Sequence, residues 1–371
     1  MYDWQTLTLP AIVGSKHDVR RFCNLSCFRP VQLPRALGRL AWVAALAAAI
    51  GSAGSAEPAA KRHPGHYAAI NESDEIQSIR HLDEPALRGV SKRYYWADLE
   101  PRKDAYKLEA IKKDLAFLKA HAKQLVVFIT DKTFRPGKNP LPAYLADYAL
   151  PNGRGITAMR WDPVVVERFV ALNRALARAF DDEPNFEGVA FQESALMIGP
   201  ELRRQHGYSA EKYRDALIRM LAESSQAFRR SQVFWYMNHL EGNDPYLGDI
   251  AKAVVGSTVV MGGPDILPYR RRLQATYQLY EQFKGRLPLF CSAQDDSYRH
   301  DKNDSRNMGN AAVTRNLPPP AEGYVPLEQI FLFARDKLHV KYLFWSCTYH
   351  AGSGAFNYDD AVAVMRKYPA F

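Results

Sequence analysis

Acidic side chains stand where apolar runs of this chain give way to loops: Asp131 in FITDKTF, Glu193 in FEGVAFQE, Asp265 in MGGPDILPYR, and Asp295 and Asp296 in CSAQDDSYRH. A carboxylic acid beside an apolar wall can have its pKa raised, and so keep a proton to give to a leaving oxygen. Cleaving a glycosidic bond needs a second carboxylate, which attacks the anomeric carbon or activates water to do so. Glu193 is the expected donor and Asp295 the preferred partner, with Asp296 beside it and Asp265 as a rival. Two plainer readings compete: Asp265 could cap a helix beginning near Leu267, and Glu193 could be a structural carboxylate paired with Arg93 or Lys92. Asp131 and Glu241 are further rim acids, suited to binding sugar hydroxyls. A carboxyl separation of about 5 to 5.5 Å would imply retention at the anomeric carbon, and about 6.5 to 9.5 Å inversion.

Aromatic faces suit the C–H surfaces of sugar rings. Tyr94 and Trp96 end the second run, Trp235 lies in the fifth, and Trp345 with Tyr349 marks the eighth. Trp345 is the preferred platform, although neighbours on a strand point to opposite faces and half of these rings should pack under helices. Gln192, Asn238 and His239 could orient substrate hydroxyls or a water. His66, His239, His300 and His350 show no compact ligand spacing, so no metal or other cofactor is expected. A serine nucleophile has weak support, because Ser194 sits in QESAL rather than in a GxSxG elbow.

Positioning these groups falls to eight short apolar runs: HYAAIN, GVSKRYYW, QLVVFIT, FEGVAFQE, SQVFWYMN, STVVMGG, LPLFCSAQ and KYLFWSC. Helical segments are legible between several of them, over Tyr106 to His121, Pro163 to Phe180, Ser209 to Phe228, Tyr269 to Lys284 and Pro326 to Lys337. Asp162 is the expected N-cap of the second. Such alternation predicts an α/β fold, a single-domain (β/α)8 barrel with its site at the carboxyl ends of the strands. Two long polar insertions, Lys132 to Met159 and Asp295 to Tyr324, leave that rim. An open doubly wound sheet is the competitor, but no GxGxxG turn follows the first run.

The 371 residues, 47% hydrophobic and 24% charged, describe a globular chain with a sizeable core, excluding disorder and collagen-like repeats. The net charge of +9 is scattered through helix-like segments that also carry acids, so nucleic acid is not an expected partner. The apolar stretch LAWVAALAAAI follows Arg35 and Arg39 and precedes GSAGSAEPAA, the three parts of a secretory signal. Residues 1–56 are read as a signal peptide or export segment and residues 57–371 as the barrel. Removing the segment takes six cations and two anions, lowering the net charge from +9 to +5. The expected product is periplasmic or secreted, with no stable membrane insertion once the segment is gone. Cys291 and Cys347 would remain, either as a disulfide or as two buried thiols.

The chain from about His66 to His350 resembles the retaining (β/α)8 glycoside hydrolases, β-galactosidase-like and related barrels. The most specific likeness is YYWADLEPRKDAYKLEAIKKDL, where Trp96, Glu100, Pro101 and Tyr106 match a W-x-x-x-E-P segment followed by an aromatic residue and a helix. Trp345 fits a tryptophan often found after strand eight. The resemblance implies an acid/base role for Glu193 at the end of strand four, preceded here by Gln192 instead of asparagine. It also implies a nucleophilic glutamate at the end of strand seven, where this chain has AQDD. The expectation is a glycosidase acting on an oligo- or polysaccharide by paired-carboxylate catalysis. The alternatives are a noncatalytic carbohydrate-binding barrel, or a glycan lyase or transglycosylase.

Overall fold

β-Branched and aromatic residues favour extended chain, and all eight apolar runs form strands. The computed structural model describes residues 60–300, 324–349 and 355–371. The expected export segment lies outside the described residues, as do His350 and most of the second insertion. The strands are β1 (Gly65–Ile70), β2 (Leu87–Tyr95), β3 (Gln124–Thr130), β4 (Phe186–Phe191), β5 (Gln232–Tyr236), β6 (Val259–Gly263), β7 (Leu289–Ala293) and β8 (Tyr342–Ser346). Each pairs in parallel with its sequence neighbours, and β8 pairs with β1 from Gly65 opposite Tyr342 to Ala69 opposite Ser346, which closes the barrel. The fold is the predicted (β/α)8 barrel, strands and helices alternating around one ring.

Helices cover the outside: α1 (Glu109–Ala120), α2 (Pro163–Phe180), α3 (Ala210–Ala227), α4 (Tyr246–Ala253), α5 (Gln274–Phe283), α6 (Leu327–Leu332) and α7 (Tyr358–Lys367). α2 has the predicted limits. Pro163 fits its first turn, where an N–H would go unused, and Asp162 Oδ1 accepts from the Val164 N–H at 2.8 Å. Asp162→Ala is expected to lower stability by about 1 kcal/mol, read from the urea midpoint at unchanged slope. Ser209 caps α3 in the same way, accepting from Lys212. The first insertion, after β3, folds into a two-stranded antiparallel ribbon of Ala149–Pro151 and Ile156–Ala158.

Two layers of side chains follow from strand alternation. Tyr67, Val126, Phe128, Ala190, Phe234, Tyr236, Val260, Phe290, Tyr342 and Phe344 fill the barrel interior. The intervening residues face the helices: Phe191 meets Phe169 of α2 edge to face with centroids 4.8 Å apart, and Trp96 meets the same ring at 5.4 Å. A barrel-interior place for Val189 and Phe191, beneath Glu193, is the natural expectation from their position in the run, but they lie in this outer layer, and Ala190 takes the interior position. Gly188 lets β4 approach β5, since its φ is +154° and an added Cβ would fall 1.9 Å from the Gln232 carbonyl oxygen.

Cys291 and Cys347 are free thiols, as one of the two expected arrangements has it, but only Cys291 is buried and Cys347 is half-buried. Among the described residues no helix is long and apolar enough to cross a membrane.

Candidate active site

The carboxyl ends of the strands enclose a cavity of about 730 Å³. Its floor is apolar, with Phe128 and Tyr236 rising from the barrel interior. Strand parity selects much of the wall: the interior positions 190, 236 and 290 continue to Gln192, Asn238 and Gln294, all three of which line the cavity.

Glu193 lies one step out of that parity and still reaches the cavity, because the chain has left the strand and is held in place by buried polar contacts. Arg160 donates from Nη1 to the Glu193 carbonyl at 2.6 Å, while its Nε and Nη2 grip Asp131 at 2.7 and 2.5 Å. Tyr213 donates its hydroxyl to the Ser194 carbonyl at 2.7 Å, and the Ser194 hydroxyl accepts from the Asn238 N–H at 2.9 Å. The ends of β4 and β5 are thus fastened together around one carboxylate.

The carboxylate takes a donor on each oxygen. Lys132 Nζ lies 2.6 Å from Oε1, and Asn238 Nδ2 donates to Oε2 at 2.5 Å. Burial by itself would raise the Glu193 pKa, but the Lys132 ammonium and the Asn238 amide hold it below its ordinary value of 4.5. Burial likewise draws the Lys132 ammonium down, against the opposing pull of Glu193. Lys132 Nζ also donates to the Ala195 carbonyl at 2.6 Å, so the cation is fixed on the carboxylate from a second side. The expectation of a protonated Glu193 is therefore corrected, and its cation is Lys132. Lys92 and Arg93 are engaged elsewhere, with Asp114 and Gln192.

Asp265 has the opposite environment in the same cavity. Its carboxyl makes no hydrogen bond or ion pair with the described residues, and its pKa is pushed up to about 7, first by burial and then by the negative charges of Glu193 and Asp296. Arg272 and Arg270 oppose that rise. Asp265 caps no helix, since the chain runs on to a 3₁₀ turn at Arg271–Leu273 before α5 begins.

The other sequence candidates divide cleanly. Asp296 lines the cavity and is exposed, but Asp295 pairs with Arg299 across the short helix Asp295–Tyr298 and is absent from the lining, correcting the preference between them. Gln192, Asn238 and His239 line the cavity, with His239 Nδ1 2.8 Å from Asp244. Asp131 is spent on Arg160, and Glu241 accepts from the N–H groups of Leu196 and Met197 at 2.7 and 2.6 Å, shaping the loop after β4.

The aromatic expectation is largely overturned. Tyr94 points outward and donates to Asp114 at 2.7 Å, and Trp96 donates to Glu100 at 2.9 Å inside the outer core. Trp235 is fully buried against the helices, and Trp345 is fully buried with its N–H 3.1 Å from His66 Nδ1. Tyr349 is exposed, its ring is covered by the Arg80 guanidinium, and it does not line the cavity. The rings that do line it are Phe128, Phe134 and Tyr236.

Cavity and framework residues that sequence reasoning missed include Lys132, Arg160, Gln294, Asp244, Arg154 and Arg272. Lys132 directly follows a rim acid in FITDK; a lysine at a strand end facing a rim carboxylate was the available signal. Among the described residues no group of three or more His, Cys, Asp or Glu is arranged to hold a metal ion.

No protein-family model matches the sequence, and no curated protein matches it. Solved structures do share the barrel. A β-galactosidase from Bacillus circulans sp. alkalophilus is 10% identical, with 82% of this chain and 55% of that chain covered and a TM-score of 0.51. Endo-glycoceramidase II from Rhodococcus sp. is 12% identical over 81% of this chain and 77% of that one, with a TM-score of 0.50. A GH5_18 protein from Bifidobacterium longum subsp. longum is 10% identical, with 80% and 73% covered and a TM-score of 0.50. The chain spans about half the length of that β-galactosidase. At these identities the likeness shows the fold alone, a (β/α)8 barrel.

Proposed function

We propose that this chain hydrolyses a glycosidic bond, with Asp265 as proton donor and Glu193 as the ionised partner. One observation carries the reading: a single sugar-sized cavity holds one carboxyl pushed up to about 7 and another held below 4.5. Titratable groups whose surroundings drive their pKa values apart are suited to opposite halves of acid/base catalysis. Asp265 would protonate the departing oxygen as the C–O bond breaks. Glu193 would attack the anomeric carbon, or take a proton from the water that does, and water would supply the hydroxyl of the new reducing end.

Activity should be confined to a pH window. Glu193 must be ionised and Asp265 protonated, so turnover should fall in acid, at a pH lower than an ordinary glutamate would set, and again above about pH 7. Asp265→Asn should lower kcat by about 10²-fold and abolish the upper limb. The same variant separates catalysis from folding. A carboxyl whose folded pKa is raised contributes stability that is complete below its ordinary value and lost as pH rises through about 7. Asp265→Asn should therefore raise the Tm relative to the unaltered chain at pH 8 and not at pH 4. Reducing-end release from a panel of oligosaccharides tests the activity itself, and a panel giving no product at any pH rejects it.

A second reading, glycan binding without cleavage, is favoured by Gln294. An amide lines the cavity at the end of β7, where the sequence resemblance implies a nucleophilic carboxylate. Saturable binding of a glycan that is never cleaved would select it. Both readings include export, on the apolar run and small residues before Glu57; the amino terminus of the mature chain, determined by mass spectrometry, tests that.

A further inference from the structure

We propose that the cavity selects a glycan bearing an anionic substituent, a carboxylate or a sulfate ester, through Arg93, Arg154 and Arg272. The inference takes the sugar from the reading above and does not depend on bond cleavage. All three arginines line the cavity, and none forms an ion pair with a described residue. Arg93 stacks over Phe128 with its guanidinium carbon 4.2 Å from the ring centroid, and its one hydrogen bond is a long one, 3.3 Å, to the neutral Gln192 side chain. Most of the five N–H donors of that guanidinium remain for a ligand. Arg154 comes from the turn of the ribbon and Arg272 from the turn before α5, so the cations approach from separate parts of the rim.

The acids of the cavity do not cancel them. Glu193 is neutralised by Lys132, and Asp244 is paired with His239, whose pKa is raised first by that hydrogen bond. Asp265 holds its proton up to about 7. Asp296 is left against three guanidiniums. A neutral glycan would have no use for that excess of positive charge, whereas a carboxylate or sulfate matches the planar, bidentate donor set of arginine and is drawn in by its field.

The test uses the purified full chain and calorimetric titration with matched trisaccharides: galacturonate, mannuronate and glucuronate-containing forms, each beside its carboxyl-reduced counterpart, and a sulfated galactoside beside its desulfated form. At least one anionic member should bind about tenfold or more tightly than its neutral twin, since bidentate charged contacts are the strong ones. The preference should shrink as salt rises, and should be lost in the double variant Arg154→Gln, Arg272→Gln. The pair that discriminates identifies carboxylate or sulfate as the substituent. Equal binding within every pair, or no binding of any, overturns the proposal. Cleavage of neutral glycans alone also overturns it while leaving hydrolysis standing; tight anionic binding without product rejects hydrolysis and leaves this inference intact.

Discussion

Glu193→Gln is expected to reduce turnover by on the order of 10⁴-fold, the upper range for losing a positioned acid/base group, while leaving the barrel folded. The amide has the size of the acid, and its oxygen can still accept from Lys132 Nζ, which keeps a second acceptor in the Ala195 carbonyl. The backbone at this position is held independently, by Arg160 and Tyr213. The loss is of the negative charge beside the anomeric carbon, and an amide can neither attack there nor take a proton from water. Steady-state kinetics on a cleaved substrate provides the measurement, with near-ultraviolet circular dichroism as the control for packing. Turnover within tenfold of the unaltered chain would remove Glu193 from the mechanism.

Lys132→Met should cost about 3 kcal/mol of stability at pH 7, the lower end of the range for deleting one member of a buried ion pair while its partner stays charged. The Lys132 side chain is completely buried and that of Glu193 is 14% exposed, so water can replace little of the lost interaction. The sign is set by the native pKa. Glu193 is held below 4.5, so the pair contributes stability above that value and loses it as pH falls through the native pKa. Without Lys132 burial is less opposed and the Glu193 pKa climbs. The penalty of the variant should therefore shrink in acid, and the acid limb of any pH–rate profile should move upward. Adding Glu193→Gln to Lys132→Met should restore much of the stability, because a neutral amide beside a thioether leaves no buried charge. Urea denaturation of the four proteins forms the cycle, and strict additivity would reject the pairing as the source of the effect.

The barrel was legible because its signal is repeated eight times. Runs such as QLVVFIT match their strand end to end, and DPVVVERF announced both the cap and the first turn of α2. The site was less legible, for two physical reasons. Strand parity decides which residues reach the centre, and it needs one interior residue as an anchor: once Phe234 and Tyr236 are known to face inward, Trp235 must face out, and Phe344 does the same for Trp345. Tryptophan was weighted for its chemistry when alternation was the stronger constraint. The acids posed the other difficulty, since a carboxylate's protonation depends on neighbours distant in sequence. Glu193 meets a lysine 61 positions earlier, and nothing local distinguishes it from Asp265. Asp295 and Asp296 show the limit most simply, because a single helical turn decides which of two adjacent aspartates opens onto the cavity.

Residues 132 to 160 hydrogen-bond Glu193 from their two ends, Lys132 on the carboxylate and Arg160 on the peptide carbonyl. The stretch between them supplies Phe134, whose ring centroid lies 4.9 Å from Lys132 Nζ, and, at the turn of the ribbon, Arg154 to the cavity wall. One connection thus joins a fixed frame to an interchangeable tip, and the tip can be lengthened, shortened or recharged while its anchors stay put. Descendants of this chain could recharge one wall of the cavity through that tip alone and inherit Glu193 in register.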